Sequence, residues 1–367
     1  MSNSKIKDMA SITPKFKNLT GTNFHKELKQ RVNNYFVENN KKSTGNFSLH
    51  FKAVLLWTLF VTFYVLIVFF NPASVWLGLG EALILGGLTA AIGFNVMHDG
   101  GHGSFSDSPF WNKIAAFSVN GLGASMLMWN NKHNIIHHTY TNIDGIDDDI
   151  EIKPMLRMCE TQKKYKVHRF QHIYVWFLYT LLLIIWVFAT DYTKYFRKKV
   201  GNVPIKKFSA FDHFAFWAAK VFYYAMFIAL PIYMVGFLPW MIGFMVMAMF
   251  AGFVLSIVFQ LAHTVEETSF PIPLEATNDI ENEWAIHQIE TTANFATKNK
   301  VISWLVGGLN FQIEHHLFPK ISHVHYPAIS KIIKSTCEEF NVKYIEYKRM
   351  RDAIISHTLY LKRMGTA

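Results

Sequence analysis

Cysteine is nearly absent: 367 residues hold two, Cys159 and Cys337. Two thiols cannot build a disulfide framework. Both fall in polar segments and are expected as reduced thiols facing a cytosol. Charge is scarce as well. Asp, Glu, Lys and Arg make up 17% of the chain, against about 25% in soluble domains. No Lys or Arg occurs from residue 53 to 112, and none from 221 to 297. Such cation-free stretches, in a chain that is 51% hydrophobic with 33 Phe and 10 Trp, exclude an ordinary soluble domain and point to a lipid environment. The first 50 residues lack the apolar core of a signal peptide, so insertion is expected to use internal segments. There is no low-complexity tract and no repeat beyond the paired spans described next. The net charge of +10 sits in loops between apolar runs, which argues against nucleic acid as a partner.

Spanning about 30 Å of hydrocarbon takes about 20 apolar residues. Residues 51–70 and 74–97 qualify, separated by a very short turn, as do 214–237 and 239–262. The pattern predicts two helical hairpins. Residues 172–186 are apolar but short, and residues 111–129 are interrupted by Lys113, Asn120, Gly121 and Gly123; both read as interfacial or buried helices. The turns inside the hairpins carry no charge, whereas Lys and Arg crowd the N-terminal tail, the segment 113–220 and the C-terminal end. The positive-inside rule then puts both termini and the central loop on the cytoplasmic side, with Lys220 snorkelling from a helix start. In the tail, Phe24, Leu28, Val32 and Phe36 recur at helical spacing, which fits an amphipathic helix on the membrane or a solvated one. The expected fold class is therefore an all-α integral membrane protein. It has four transmembrane helices in two hairpins, interfacial helices, and a cytoplasmic helical cap carrying a His-rich site.

Seventeen histidines give about one i,i+4 pair by accident, so a lone pair means little. His168 and His172 are such a pair, among basic residues, and read as surface groups. Three other groups differ. His98 and His102 (HDGGH) fall at the cytoplasmic end of the second span. His133, His137 and His138 (HNIIHH) lie in the loop after it, and Gln312, His315 and His316 (QIEHH) lie past the fourth span. Spacings of three or four residues put side chains on one helix face. His263 sits at the exit of the fourth span. The predicted topology gathers all four elements on one side of the membrane. Neutral imidazole suits Zn, Cu, Fe and Ni. Eight His and a Gln are too many for one tetrahedral Zn and about right for two metals. Asp99, Asp147, Asp148, Asp149, Glu266, Glu267 and Glu314 are candidates to orient the imidazole N–H groups, although the Asp run also reads as a solvated turn after Gly145. Glu81, an acid within the second span, is a further functional candidate, and His287 with the ETTANFA stretch is a weaker one.

With HDGGH, HNIIHH and QIEHH in order between paired spans, residues 90–330 resemble the membrane fatty acid desaturases. Gln312 at the head of the third box is similar to the front-end branch, which places a cis double bond between an existing one and the carboxyl end. The stretches GFNVMHDGGHGSFS, HNIIHHTYTNIDG and GLNFQIEHHLFP are similar to bacterial linoleoyl-CoA desaturases. The resemblance implies two non-haem Fe ions at His98, His102, His133, His137, His138, His263, His315 and His316. Gln312 stands where other branches carry a His; its amide oxygen can coordinate or accept a hydrogen bond. It also implies O2-dependent desaturation of a fatty acyl substrate, CoA- or lipid-linked, in a tunnel for which Trp129, Trp304 and Phe311 are wall candidates. Residues 1–50 form a basic tail, 51–350 the desaturase domain and 351–367 a C-terminal tail. Many front-end members carry a fused cytochrome b5 with an HPGG motif; none occurs here. An external electron donor, cytochrome b5-like or a ferredoxin, is then expected. The Lys- and Arg-rich surface offers an acidic donor steering, although positive-inside bias alone accounts for it. The expected setting is a bacterial inner membrane, with membrane lipid around a multi-pass chain. A hydroxylase, epoxidase or ketolase would use the same cage. A metal transporter or bis-His haem protein would instead place its ligands near the midplane of the spans.

Overall fold

The computed structural model describes residues 13–18 and 21–367; residues 1–12 and 19–20 of the expected tail lie outside the described residues. Helix α1 (Phe24–Glu38) precedes a first hairpin, α2 (Phe47–Phe69) and α3 (Val75–His102). Two shorter helices follow, α4 (Pro109–Gly121) and α5 (residues 126–140). Helices α6 (Lys166–Thr180) and α7 (Leu182–Arg197) are bent by 61°. The second hairpin is α8 (Ala210–Val235) and α9 (Phe237–His263). The chain ends in α10 (Trp284–Glu290), α11 (Lys300–Leu305), α12 (Gln312–Leu317), α13 (Tyr326–Glu339) and α14 (Met350–Thr366). Among the described residues, β structure is confined to three two-residue pairings. The all-α architecture with two hairpins is the one the sequence predicts.

Local chemistry starts and stops the spans. The side chains of Asn46 and Ser74 accept the backbone N–H groups of Leu49 and Leu77, capping α2 and α3. Ser209 and Asp212 form a capping box at the start of α8. Gly236, at φ 87°, makes the tight turn into α9. Large apolar side chains such as Phe51, Val54, Trp76, Phe214 and Val221 remain exposed on these helices. In water that would be a large apolar patch; in a bilayer it is the lipid-facing surface.

Small residues set how closely the spans approach. A Cβ on Gly86 of α3 would lie 2.5 Å from the Met247 carbonyl oxygen of α9, and one on Gly252 of α9 would lie 2.6 Å from the Thr180 carbonyl oxygen. Backbones meet here without side chains between them, as membrane helices do. The contact brings together the ends of α3 and α9, which carry His98, His102 and His263.

Four expectations change. The apolar stripe of α1 (Phe24, Leu28, Val32, Phe36) is buried against Ala285, Ile286, Ile329 and Ile333, so α1 packs on the helical cap rather than on a membrane or in solvent. The cap supplies a wide apolar face that no local pattern announces. Lys220 does not snorkel. Its Nζ is buried and bonds the carbonyl oxygens of Gly123 (2.7 Å) and Val187 (2.9 Å) and the Asp191 carboxylate (2.8 Å). Three acceptors replace the water it would otherwise reach for. His168 is not a surface group: it is buried, its Nε2 2.8 Å from the Pro154 carbonyl oxygen and its Nδ1 accepting the Tyr165 N–H. His172 is half-buried. Cys159 and Cys337 are free, as expected of reduced thiols, but both are buried rather than facing solvent.

Candidate metal centre

A change of helical pitch precedes the first box and shapes the second. α3 widens to i→i+5 hydrogen bonding over Gly93–Met97, just before His98. α5 does the same over Asn130–His137. In this wider turn the residues at i+4 and i+5 straddle the line through i, so His133, His137 and His138 share one face. Such π turns collect at functional sites. The third box is α12, opened by the buried Gln312, with His315 and His316 one turn on.

The eight imidazoles of His98, His102, His133, His137, His138, His263, His315 and His316 form one continuous cluster. Ring nitrogens of His98, His102, His133 and His315 lie within 4.8 Å of one another, as do those of His137, His263 and His316. His138 joins the two sets: its ring centroid is 4.5 Å from both His315 and His316. All are buried except the half-buried His102.

The hydrogen bonds show which nitrogens face inward. His137 Nδ1 lies 3.1 Å from Asp147 and 3.3 Å from Asp149, His263 Nδ1 3.2 Å from the Thr291 carbonyl oxygen, and His315 Nδ1 3.2 Å from the Tyr326 hydroxyl. His316 Nδ1 lies 2.8 Å from Gln288 Oε1. In each of these four rings Nε2 is buried without a hydrogen-bond partner, as is Nε2 of His102. His133 Nε2 lies 3.1 Å from His98 Nε2 and 3.2 Å from His138 Nε2. Neutral rings carry one proton each, so these nitrogens largely turn lone pairs toward lone pairs. Buried polar atoms are ordinarily paired. Orphaned Nε2 atoms with their Nδ1 partners fixed are the arrangement of imidazoles that bind metal, and the donor set fits transition-metal ions.

Electrostatics agree. Burial pushes His133, His138, His315 and His316 well below the ordinary histidine value, keeping them neutral and able to donate. Burial is the largest single influence on His137 too, but the charge and hydrogen bond of Asp147, with the charge of Asp149, together outweigh it and raise that ring.

Of the acids singled out as orienting groups, Asp147 and Asp149 touch an imidazole. Asp148 instead pairs with Lys132 and Lys194. Asp99 turns from the cluster to Ser322 (2.7 Å) and His323 (3.0 Å). Glu314 is buried against Asn294 and Tyr344 and braces α12. Glu266 and Glu267 are exposed, Glu267 pairing with Lys343. These two follow His263 in sequence, but the chain leaves the cluster directly after it. Glu81 is half-buried, one carboxylate oxygen without a partner. His287 packs against Phe16 at 5.0 Å and joins none of the imidazole groups.

Among the proposed wall residues, Trp129 stacks on His133 at 4.6 Å and meets His98 and His102 edge-on. It fits there because residue 101 is Gly: a Cβ would lie 2.4 Å from the indole. Trp304 is 44% exposed beneath Lys52, and Phe311 belongs to the apolar core of the cap. Neither makes a ring contact with the imidazoles: Trp304 carries Lys52 over its ring and Phe311 packs in the cap core. Sequence reasoning missed Gln288 and Tyr326, whereas Thr291 belongs to the ETTANFA stretch that was the weaker candidate and does reach the cluster, at His263. The signal for Gln288 was its place between His287 and that stretch.

The sequence model of the fatty acid desaturase family matches residues 74–348. An sn-1 linoleoyl-lipid 6-desaturase of Arthrospira platensis is 36% identical over 360 residues, covering 97% of this chain and 96% of the relative. The protein of the same description from a Synechocystis species is 36% identical, covering 94% and 96%. An acyl-lipid (8-3)-desaturase of Physcomitrium patens is 34% identical, covering 93% of this chain and 72% of the relative.

Proposed function

The chain belongs to the fatty acid desaturase family and is an acyl desaturase of the O2-dependent kind; on that premise we propose that it is a front-end enzyme acting on lipid-linked acyl chains through two irons. The observation that carries the metal reading is the set of buried Nε2 atoms left without partners while Nδ1 is held from outside. His98, His102, His133 and His315 form one pole, His137, His263 and His316 the other, and His138 stands between them. The lipid-linked substrate follows from the names of the relatives, which act on acyl lipids.

Two irons, when bound, supply the redox chemistry with O2 that unactivated methylene C–H bonds demand and no side chain provides. The chain's own residues do the rest. Asp147, Asp149, Thr291, Tyr326 and Gln288 hold the imidazoles in one tautomer, so that the inward nitrogens carry lone pairs. Trp129, stacked on His133 and edge-on to His98 and His102, is the apolar wall against which the acyl chain lies and from which water is kept. Electrons come from a separate carrier, cytochrome b5-like or ferredoxin. The cluster and both termini face the cytoplasm of a bacterial inner membrane, a reading supported by the Lys and Arg bias of the loops.

The test is expression of the chain with an electron donor and defined unsaturated lipids, followed by mass spectrometry. A product lighter by two hydrogens, with the new bond on the carboxyl side of an existing one, is expected; a product heavier by an oxygen would assign a hydroxylase or epoxidase. His137→Ala and His316→Ala should each lose iron and product. Full iron content and turnover in either variant would overturn the ligand assignment.

A further inference from the structure

Most groups that fix the ligand imidazoles are sealed inside: Thr291, Tyr326, Gln288 and Asp147 are all buried. Trp284, the first residue of α10, is different. Its indole N–H donates to the backbone carbonyl oxygen of His138 at 3.2 Å, and its ring is half-buried at the surface of the cap. His138 is the imidazole shared between the two poles. An extended π system thus runs from the outside to the main chain of the central ligand, with one hydrogen bond between.

The surroundings describe a partner. The Trp284 ring lies 5.4 Å from the half-buried ring of His25 on α1. On the same helix Lys29 follows one turn later, beside Lys26. Lys15 lies on the strand that pairs with Asp279–Ile280, just before α10. Lys15, Lys26 and Lys29 are exposed and form no ion pair among the described residues. The acid nearest the indole in sequence, Glu283, is already engaged, accepting the His25 N–H and the Thr22 hydroxyl at 3.0 Å each. A second surface route, from Lys132 through Asp149 to His137, runs through saturated side chains held as an ion pair, which carry electronic coupling less well than an indole.

We propose that an acidic one-electron carrier protein docks over Trp284, and that its electrons reach the metal centre through the indole N–H and the His138 carbonyl. The inference rests on the desaturase reading and adds the port. The balance is that of desaturation. An acyl CH2–CH2 unit loses two hydrogens, the carrier is oxidised twice and O2 is reduced. Two protons come from solvent and two waters leave. The indole bridges the transfer and is not itself reduced.

The test uses the full chain in lipid nanodiscs, loaded with iron, and either a ferredoxin or a cytochrome b5 domain, whichever supports wild-type turnover. Oxidation of the reduced carrier is followed anaerobically by stopped flow, so the readout does not depend on product. Trp284→Phe keeps an aromatic ring but removes the N–H; carrier oxidation should slow severalfold, while iron content and reduction by dithionite stay at wild-type levels. Lys29→Glu should weaken carrier binding by about tenfold at low salt, with the difference shrinking as ionic strength rises. Wild-type carrier kinetics in both variants would overturn the port and leave the desaturase reading standing. Equal slowing with carrier and with dithionite in Trp284→Phe, or loss of iron there, would assign Trp284 a structural role and overturn the port as well. A wild-type chain that takes up no iron would instead overturn the metal reading.

Discussion

An imidazole that binds metal at Nε2 needs its other nitrogen held. Here that task falls to residues outside the three His boxes. Gln288 Oε1 sits 2.8 Å from His316 Nδ1 and 3.0 Å from the Thr141 hydroxyl, so the amide oxygen is fixed from two sides. The Tyr326 hydroxyl stands 3.2 Å from His315 Nδ1. Removing such partners typically costs about 10–100-fold in metal affinity. Gln288→Leu and Tyr326→Phe are each expected to weaken binding by about that range without unfolding the chain, as read by competition with a coloured chelator. Affinity unchanged in both variants would mean that packing alone orients the rings. Trp129 is a contrasting case, since it touches three of the eight imidazoles yet offers them no hydrogen bond in the structure.

At the scale of elements, the buried Lys220–Asp191 pair ties α8 to α7, and through the Gly123 carbonyl to the turn before α5. Asp191 also receives the Trp186 indole N–H at 3.1 Å. A buried pair of this kind adds little net stability over apolar residues of similar size, but breaking it by removing one partner costs about 3–5 kcal/mol. Lys220→Met alone should therefore lower the thermal midpoint strongly. Lys220→Met with Asp191→Leu should recover most of the loss, and failure to recover would show that the carbonyl bonds of Lys220 matter more than its charge partner. The pair also marks what was legible in the sequence. The spans are long apolar runs, the hairpins pairs of such runs joined by short turns, and the His boxes local motifs, so all can be read from the residues alone. Lys220 could not, because its partner lies 29 positions away and no period links them. The same holds for α1, whose stripe at Phe24, Leu28, Val32 and Phe36 announces a buried face but not what covers it. It holds for Gln288 and Tyr326, which reach the cluster only through tertiary packing. Glu266 and Glu267 show the converse: nearness to His263 in sequence does not carry a side chain into the site.

Six buried histidines outside the spans are held against protonation, and this sets the response of the whole molecule to acid. Burial pushes His287 to about 3 and His357 to about 4, and holds His133, His138, His315 and His316 well below the ordinary value. For each of these the folded value lies below the unfolded one, which is about 6.5. Above that pH neither state binds the proton. Below it the unfolded chain takes up a proton that the fold refuses, so stability falls by about 1.4 kcal/mol per pH unit for each such ring. His137 runs the other way: Asp147 and Asp149 together outweigh its burial and raise it, so its contribution is complete below about 6.5 and lost as pH rises through the raised value. Six rings against one decide the sign. Metal adds to the slope, because the ligands must be neutral to bind and protons compete for the same nitrogens. The metal-free chain in nanodiscs should therefore melt at a lower temperature at about pH 5.5 than at about pH 7.5, and the iron-loaded chain should show a steeper fall as metal is released. Thermal denaturation across that range, with iron assayed after each step, checks both slopes. A metal-free chain equally stable at the two pH values would mean that water reaches the imidazoles and that the pocket is not the dry cage that desaturation requires.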